Sequence, residues 1–474
     1  NTTAGPAITF ATGTIELADA SDLTINSGGG AITIKGIAGT SSEAVTLNAN
    51  KSAGTASATE TITIGTDGIG SADTIGATAL AGDDGITLSG NIVLADSAGA
   101  DLTISDALYI SGDVTLETDN TTNDGTITIS STIDGVSGGD DDDLIIKAGD
   151  NDGDATPGGS LTLSGVIGGS QALTTLDINQ SAGDISFTVP GVGSGGNAGV
   201  TGATRIGNAA SGDIIFSGAN ANAYNFGGAL TVTSNGGAGA FQFTGADPTL
   251  TAGGAVTFTE GSGTDDTLVL ADLKDLTITT ASANANITLP NIDGTAGDGN
   301  DGTDLTILAG TGNVSVKSID TDINDLRIDG TTITLTGSIT TAAHNPGSAD
   351  AASIDINGAA VIGAGITLTS GNGTVDFSGT VDSDNGENRA LTIVSGSGAT
   401  AINGAVGTTD ALGNLTINAA GTGAITLSTV GADAAAGAAV MAIGNADTAT
   451  LTLSGVDYHS AANAQTYTAD AFLI

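Results

Sequence analysis

The chain has 474 residues, 39% of them hydrophobic, with 75 Gly, 6 Pro, no Cys and no Trp, and 52 acidic against 8 basic residues for a formal charge of −44. That charge excludes nucleic acid or an anionic membrane as partners of a basic face. The apolar content excludes disorder, the missing three-residue glycine period excludes collagen, and the absent cysteines exclude disulfides and thiolate metal sites.

The apolar residues are mostly Ala, Val, Ile and Leu interleaved with Thr, a strand composition with a thin β-branched core. From the amino end, the chain enters strand-like sequence at Ile8-Thr-Phe10. One unit then recurs: an apolar-polar-apolar triplet, a few small residues, and a lone Ile or Val. Early copies run from Ile86-Thr-Leu88 to Ile92, Ile127-Thr-Ile129 to Ile133, Leu161-Thr-Leu163 to Val166 and Ile185-Ser-Phe187 to Val192. Residues 190–203 are Gly-rich and read as a long loop or degenerate coil.

The repeat sharpens after residue 276. Ile287-Thr-Leu289 leads to Ile292, Val314-Ser-Val316 to Ile319, Ile333-Thr-Leu335 to Ile339, Ile354-Asp-Ile356 to Val361 and Val375-Asp-Phe377 to Val381, with further lone residues at Val406, Val430 and Val456. A second triplet precedes many of these, as at Leu276, Leu305, Leu326, Leu391 and Leu415. The Ala-rich stretch 431–444 interrupts the pattern and reads as a loop, a degenerate coil or a short helix. The chain closes on Ala471-Phe-Leu-Ile474.

Strand side chains alternate, so each triplet sends two apolar residues to one face and its central residue to the other. Strands this short bury a face only by stacking with the equivalent strands of neighbouring units. The expected fold is all-β, a right-handed parallel β-helix occupying 1–474 as one elongated body. The lone residues 292 to 456 average about 23 residues apart, which predicts roughly 20 coils and, at ~4.8 Å per coil, a rod on the order of 95 Å long. Ile319, Ile339, Val361, Val381 and Val430 are expected to stack in one buried column. A row of antiparallel sandwiches is the rival, and it needs longer strands and domains near 100 residues.

Two segments carry the resemblance to known proteins: Leu415-Thr-Ile-Asn-Ala-Ala-Gly-Thr-Gly-Ala-Ile-Thr-Leu427 and Leu305-Thr-Ile-Leu-Ala-Gly-Thr-Gly-Asn-Val-Ser-Val316. They resemble the repeats of filamentous-haemagglutinin-like adhesins, autotransporter passengers and other bacterial β-strand-repeat surface proteins. The resemblance covers most of the chain and is specific to an architecture. It implies export, an extracellular or cell-surface location, and a role in fibres, surface layers or adhesion to host or matrix glycans.

Some β-helices degrade polysaccharides, but no catalytic residue is assigned. The chain has three Arg, five Lys and four Tyr, too few for a polyuronate site. Asp140 to Asp143 is the densest carboxylate run, and adjacent side chains of an extended strand point apart. His344 and His459 read as surface histidines.

Three acidic loops have the oxygen-rich character of calcium-binding turns: Asp150, Asp152 and Asp154; Asp298, Asn300 and Asp304; and Asp382, Asp384 and Glu387. None completes an EF-hand. Calcium is the one cofactor expected. The partner expected is a second copy of the chain, joined head to tail through Ile8 and Phe10 at one end and Phe472, Leu473 and Ile474 at the other, because no amphipathic cap is evident at either; the alternative is that both ends are cut points in a longer polypeptide whose neighbouring coils supply the caps. No membrane-inserting segment is expected.

Overall fold

The computed structural model describes the chain outside residues 1–4, 40–42, 51–59, 71–76, 82–83, 95–99, 119–124, 137–140, 150–158, 181–182, 189–190, 219–222, 236–239, 262–266, 273, 296–302, 343–351, 419–420 and 433–434. The described residues form 46 strands and no helix. Every registered strand pair is parallel, and each pairs residues one coil apart, as in Ile8↔Ile32 and Leu451↔Phe472. The protein is a parallel β-solenoid. It divides into two compact units, Asn1–Ala246 with Leu250–Ala252 and Thr259–Asp266, and Asp247–Thr249 with Gly253–Phe258 and Thr267–Ile474.

In the first unit three strands per coil build three interior columns. One runs Ile8, Ile32, Ile62, Ile86, Leu108 and Ile133. A second runs Ile15, Ile37, Ile69, Ile92, Leu116 and Ile146. The third runs through Ile104, Ile129 and Leu163 into Phe187, Phe216 and Phe243. Like stacks on like because a parallel ladder brings equivalent side chains one strand spacing apart, where identical shapes pack without voids. The three phenylalanines show this directly, with ring centroids 5.0 and 4.8 Å apart and planes within 10°.

The second unit repeats the plan. Its first column holds Leu276, Leu305, Leu326, Ile354, Val375, Thr400, Ile425, Leu451 and Phe472. Its second holds Ile287, Val314, Ile333, Ala360, Val381, Val406, Val430 and Tyr458. Its third holds Ile292, Ile319, Ile339, Leu368, Ile393, Ile417, Ile443 and Tyr467.

These columns correct the expected register. Ile319 and Ile339 share the third column, whereas Val381 and Val430 lie in the second. Val361 is in neither: Ala360 takes the buried position and Val361 faces outward between Thr334 and Asp382. Val456 is 88% exposed, and Tyr458 occupies its expected place against Val430. Coils are also longer than expected. Steps range from 22 residues (Ile86 to Leu108) to 34 (Ile133 to Ile167) in the first unit, and along the columns named for the second from 19 (Val314 to Ile333) to 29 (Leu276 to Leu305). The coil count is therefore below the expected 20. The Ala-rich stretch 431–444 contains no helix among its described residues; Ala438–Ile443 is a strand whose Met441 and Ile443 are buried.

Candidate interaction sites: acidic corners and exposed column ends

The acids cluster at the corners, just before strands, and their carboxylates have a local task. In the second unit the Asp247 carboxylate accepts the Asp275 N–H at 3.3 Å, Asp275 accepts the Asp304 N–H at 3.0 Å, and Asp304 accepts the Asp325 N–H at 3.0 Å. Asp325 then accepts both the N–H and the hydroxyl of Ser353, at 2.8 and 2.5 Å. Each carboxylate thus satisfies a backbone donor of the next coil that the turn leaves without a ladder partner. Asp22, Asp101 and Asp184 do the same in the first unit for the N–H groups of Ala44, Thr126 and Asp213.

Stacking carboxylates carries an electrostatic cost. Burial holds the Asp304 carboxyl above the usual carboxylate range, and the charges of Asp275 and Asp325 push the same way against the Asp325 N–H bond. Burial likewise raises Asp213, Asp293 and Asp376, each beside another aspartate.

The expected calcium loops are only partly described. Asp150, Asp152, Asp154, Asp298 and Asn300 lie outside the described residues. Asp304 serves the corner ladder above. Asp382 accepts the N–H groups of Thr409 and Asp410 at 2.9 and 3.4 Å, while Asp384 and Glu387 both face the Arg389 guanidinium at 3.2 and 3.5 Å. The structure therefore does not bring Asp382, Asp384 and Glu387 together around a metal, and no group of three or more His, Cys, Asp or Glu converges on an ion position among the described residues. In the 140–143 run, Asp140 is outside the described residues. Asp142 is buried and accepts the Gly112 and Val136 N–H groups, while Asp143 accepts the Thr175 hydroxyl. His344 is outside the described residues, and His459 lies 3.8 Å from Asp457 at the surface.

The end residues behave differently from the rest of their columns. Ile8–Phe10 pairs with Ile32–Ile34, and Phe10 is 42% exposed whereas Ile34 is buried. Ala471–Leu473 pairs with residues 450–452, and Phe472, Leu473 and Ile474 are 51%, 59% and 96% exposed. No other strand pairs with either segment among the described residues. The last coil carries a feature missed in the sequence. Its three column positions are all aromatic: Tyr458, Tyr467 and Phe472. The two tyrosine rings meet edge to face at 6.4 Å, and the Tyr458 hydroxyl donates to the Leu427 carbonyl while accepting the Gly455 N–H. Burial beside Tyr458 pushes the Tyr467 phenol up to about 12. At this coil two columns hold amphipathic rings and the first holds the half-exposed Phe472. The signal available in the sequence was two of only four Tyr lying within ten residues.

No helix among the described residues is long and apolar enough to cross a membrane. No family model, no curated protein and no solved structure matches the chain.

Proposed function

We propose that the chain is a non-enzymatic structural protein of a microbial cell surface, working outside the cell as a self-associating β-solenoid of a fibre or surface layer. The observation that carries this reading is the strand Ala471–Leu473, which among the described residues pairs with 450–452 alone and carries Phe472, 51% exposed, in a parallel ladder that like strands extend. A strand of a second copy laid against it extends the parallel ladder and covers Phe472, worth roughly 1.5–3 kcal/mol per large side chain buried. Contact of this kind with Ile8 and Phe10 of the second copy is heterologous and propagates as a filament. The extracellular location rests on the resemblance of the repeats to filamentous-haemagglutinin-like and autotransporter-passenger proteins. Calcium enters this reading through the acidic loops at 150–154 and 298–300. A melting temperature unchanged by chelator at moderate salt removes it.

The assembly is tested by deleting residues 472–474 and imaging both forms by negative stain. The expected result is threads or a lattice from the full chain and dispersed particles from the shortened one, with the same β-rich circular dichroism. Equal polymerisation of both forms, or none by the full chain, overturns the proposal.

A further inference from the structure

The first unit carries a recess on the outside of its first face that neither stacking nor the corner ladder accounts for. Tyr109 is the outward residue of Leu108–Ile110, in register with Thr87 on one neighbouring coil and Asp134 on the other. Its ring leans over the earlier coil. A β-carbon on Gly85, which has φ +110°, would meet Tyr109 Cε2 at 2.4 Å, so the phenol packs directly on glycine backbone. The space beside the ring, over Asp134 and Gly135, is left open.

Residues 168–172 of the following coil form the far wall. The Asp134 carboxylate accepts the N–H groups of Ser170 and Gln171 at 2.8 and 3.2 Å, and the Gly135 N–H donates to the Gln171 carbonyl at 2.9 Å. Those bonds explain why Asp134, at an outward position, is buried, while Ser170 and Gln171 stay exposed. The result is a recess of about 360 Å³ between the Tyr109 ring and this strapped loop, with Thr87 and Val136 completing the lining. Its size lies at the small end of ligand clefts, ~300–1,000 Å³.

We infer that this recess binds a single neutral sugar ring, stacked on Tyr109 and hydrogen-bonded by the Gln171 side chain. The lining has the mixed character such a ligand needs. An aromatic face and the methyls of Val136 and Thr87 meet the C–H surface of a pyranose. The Gln171 amide and the hydroxyls of Ser170 and Thr87 offer both donors and acceptors to its hydroxyls. The loop is held by backbone bonds, so little ordering is required on binding. A charge of −44 together with Asp134 at the floor disfavours acidic sugars, and among the described residues no cationic side chain lines the recess to recruit them. This site is independent of the assembly reading, since it lies on an outer face far along the chain from residues 471–473.

The test is saturation-transfer NMR on the full chain with methyl glycopyranosides of glucose, galactose and mannose, with N-acetylglucosamine, and with glucuronate and choline as controls. Transfer to the ring protons of at least one neutral sugar is expected. Tyr109→Ala should weaken binding at least tenfold, Tyr109→Phe should retain it, and Gln171→Ala on the exposed loop should weaken it severalfold with the melting temperature unchanged. Circular dichroism establishes that each variant is folded. If Tyr109→Ala does not fold, Gln171→Ala decides alone. No transfer to any neutral sugar at millimolar concentration, equal binding by Gln171→Ala or a folded Tyr109→Ala, or preference for glucuronate or choline overturns the inference.

Discussion

Ile425 and Phe472 belong to one column of the second unit, two rungs apart, each in register with Leu451. Ile425 is fully buried and Phe472 is half exposed. A column position alone therefore does not bury a residue in this fold. A coil supplies half of each column contact and its neighbour supplies the other half, so stability is a sum over interfaces between coils. The same contrast appears between Ile34, inside the first unit, and Phe10, one coil before it.

The largest effect that sharpens this contrast comes from charging an interior rung. Val381→Asp places an unpaired carboxylate between Ala360 and Val406 and should destabilise by more than about 3 kcal/mol in urea unfolding. Next, Ile425→Ala should cost about 2–5 kcal/mol through its cavity, whereas Phe472→Ala in dilute protein should cost well under half of that. Equal losses at the two positions break the comparison.

The corner ladder gives smaller changes. Asp304→Ala removes the acceptor of the Asp325 N–H and should cost about 1 kcal/mol. Asp304→Asn keeps an acceptor and removes a charge flanked by Asp275 and Asp325, so its melting temperature at pH 7 should match or exceed that of the parent. Mild acid should act in the same direction. The carboxyls of Asp213, Asp293, Asp304 and Asp376 are raised in the folded state. The folded chain therefore binds more protons than the unfolded one just above the ordinary value of 3.8. Stability from these groups is present below that value and is lost as pH rises through their folded values. Melting temperature should rise as pH is lowered from 7 toward the upper edge of the carboxylate range.

The architecture was legible in the sequence because the apolar-polar-apolar triplet admits one economical burial, by stacking. The register was not, because all three faces carry the same triplet. Ile333-Thr-Leu335 and Ile354-Asp-Ile356 look equivalent, yet they lie on the second and first faces. Aligning on branched residues selected Val361 over Ala360, and the smaller side chain is the buried one. The corner acids were visible as clusters, but their partners are backbone N–H groups 20 to 30 residues away, as for Asp304 and Asp325, and spacing within a loop does not report them. The recess at Tyr109 was equally hidden, since Gly85, Tyr109 and Gln171 meet only after coils stack.

The central claim is that the exposed strand at 471–473 completes its ladder with another copy of the chain, and amide hydrogen exchange followed by mass spectrometry against protein concentration tests it most directly. The account predicts fast exchange over residues 471–473 in dilute protein and protection that grows with concentration, while residues 425–427 stay protected throughout. Exchange over 471–473 that is independent of concentration contradicts it.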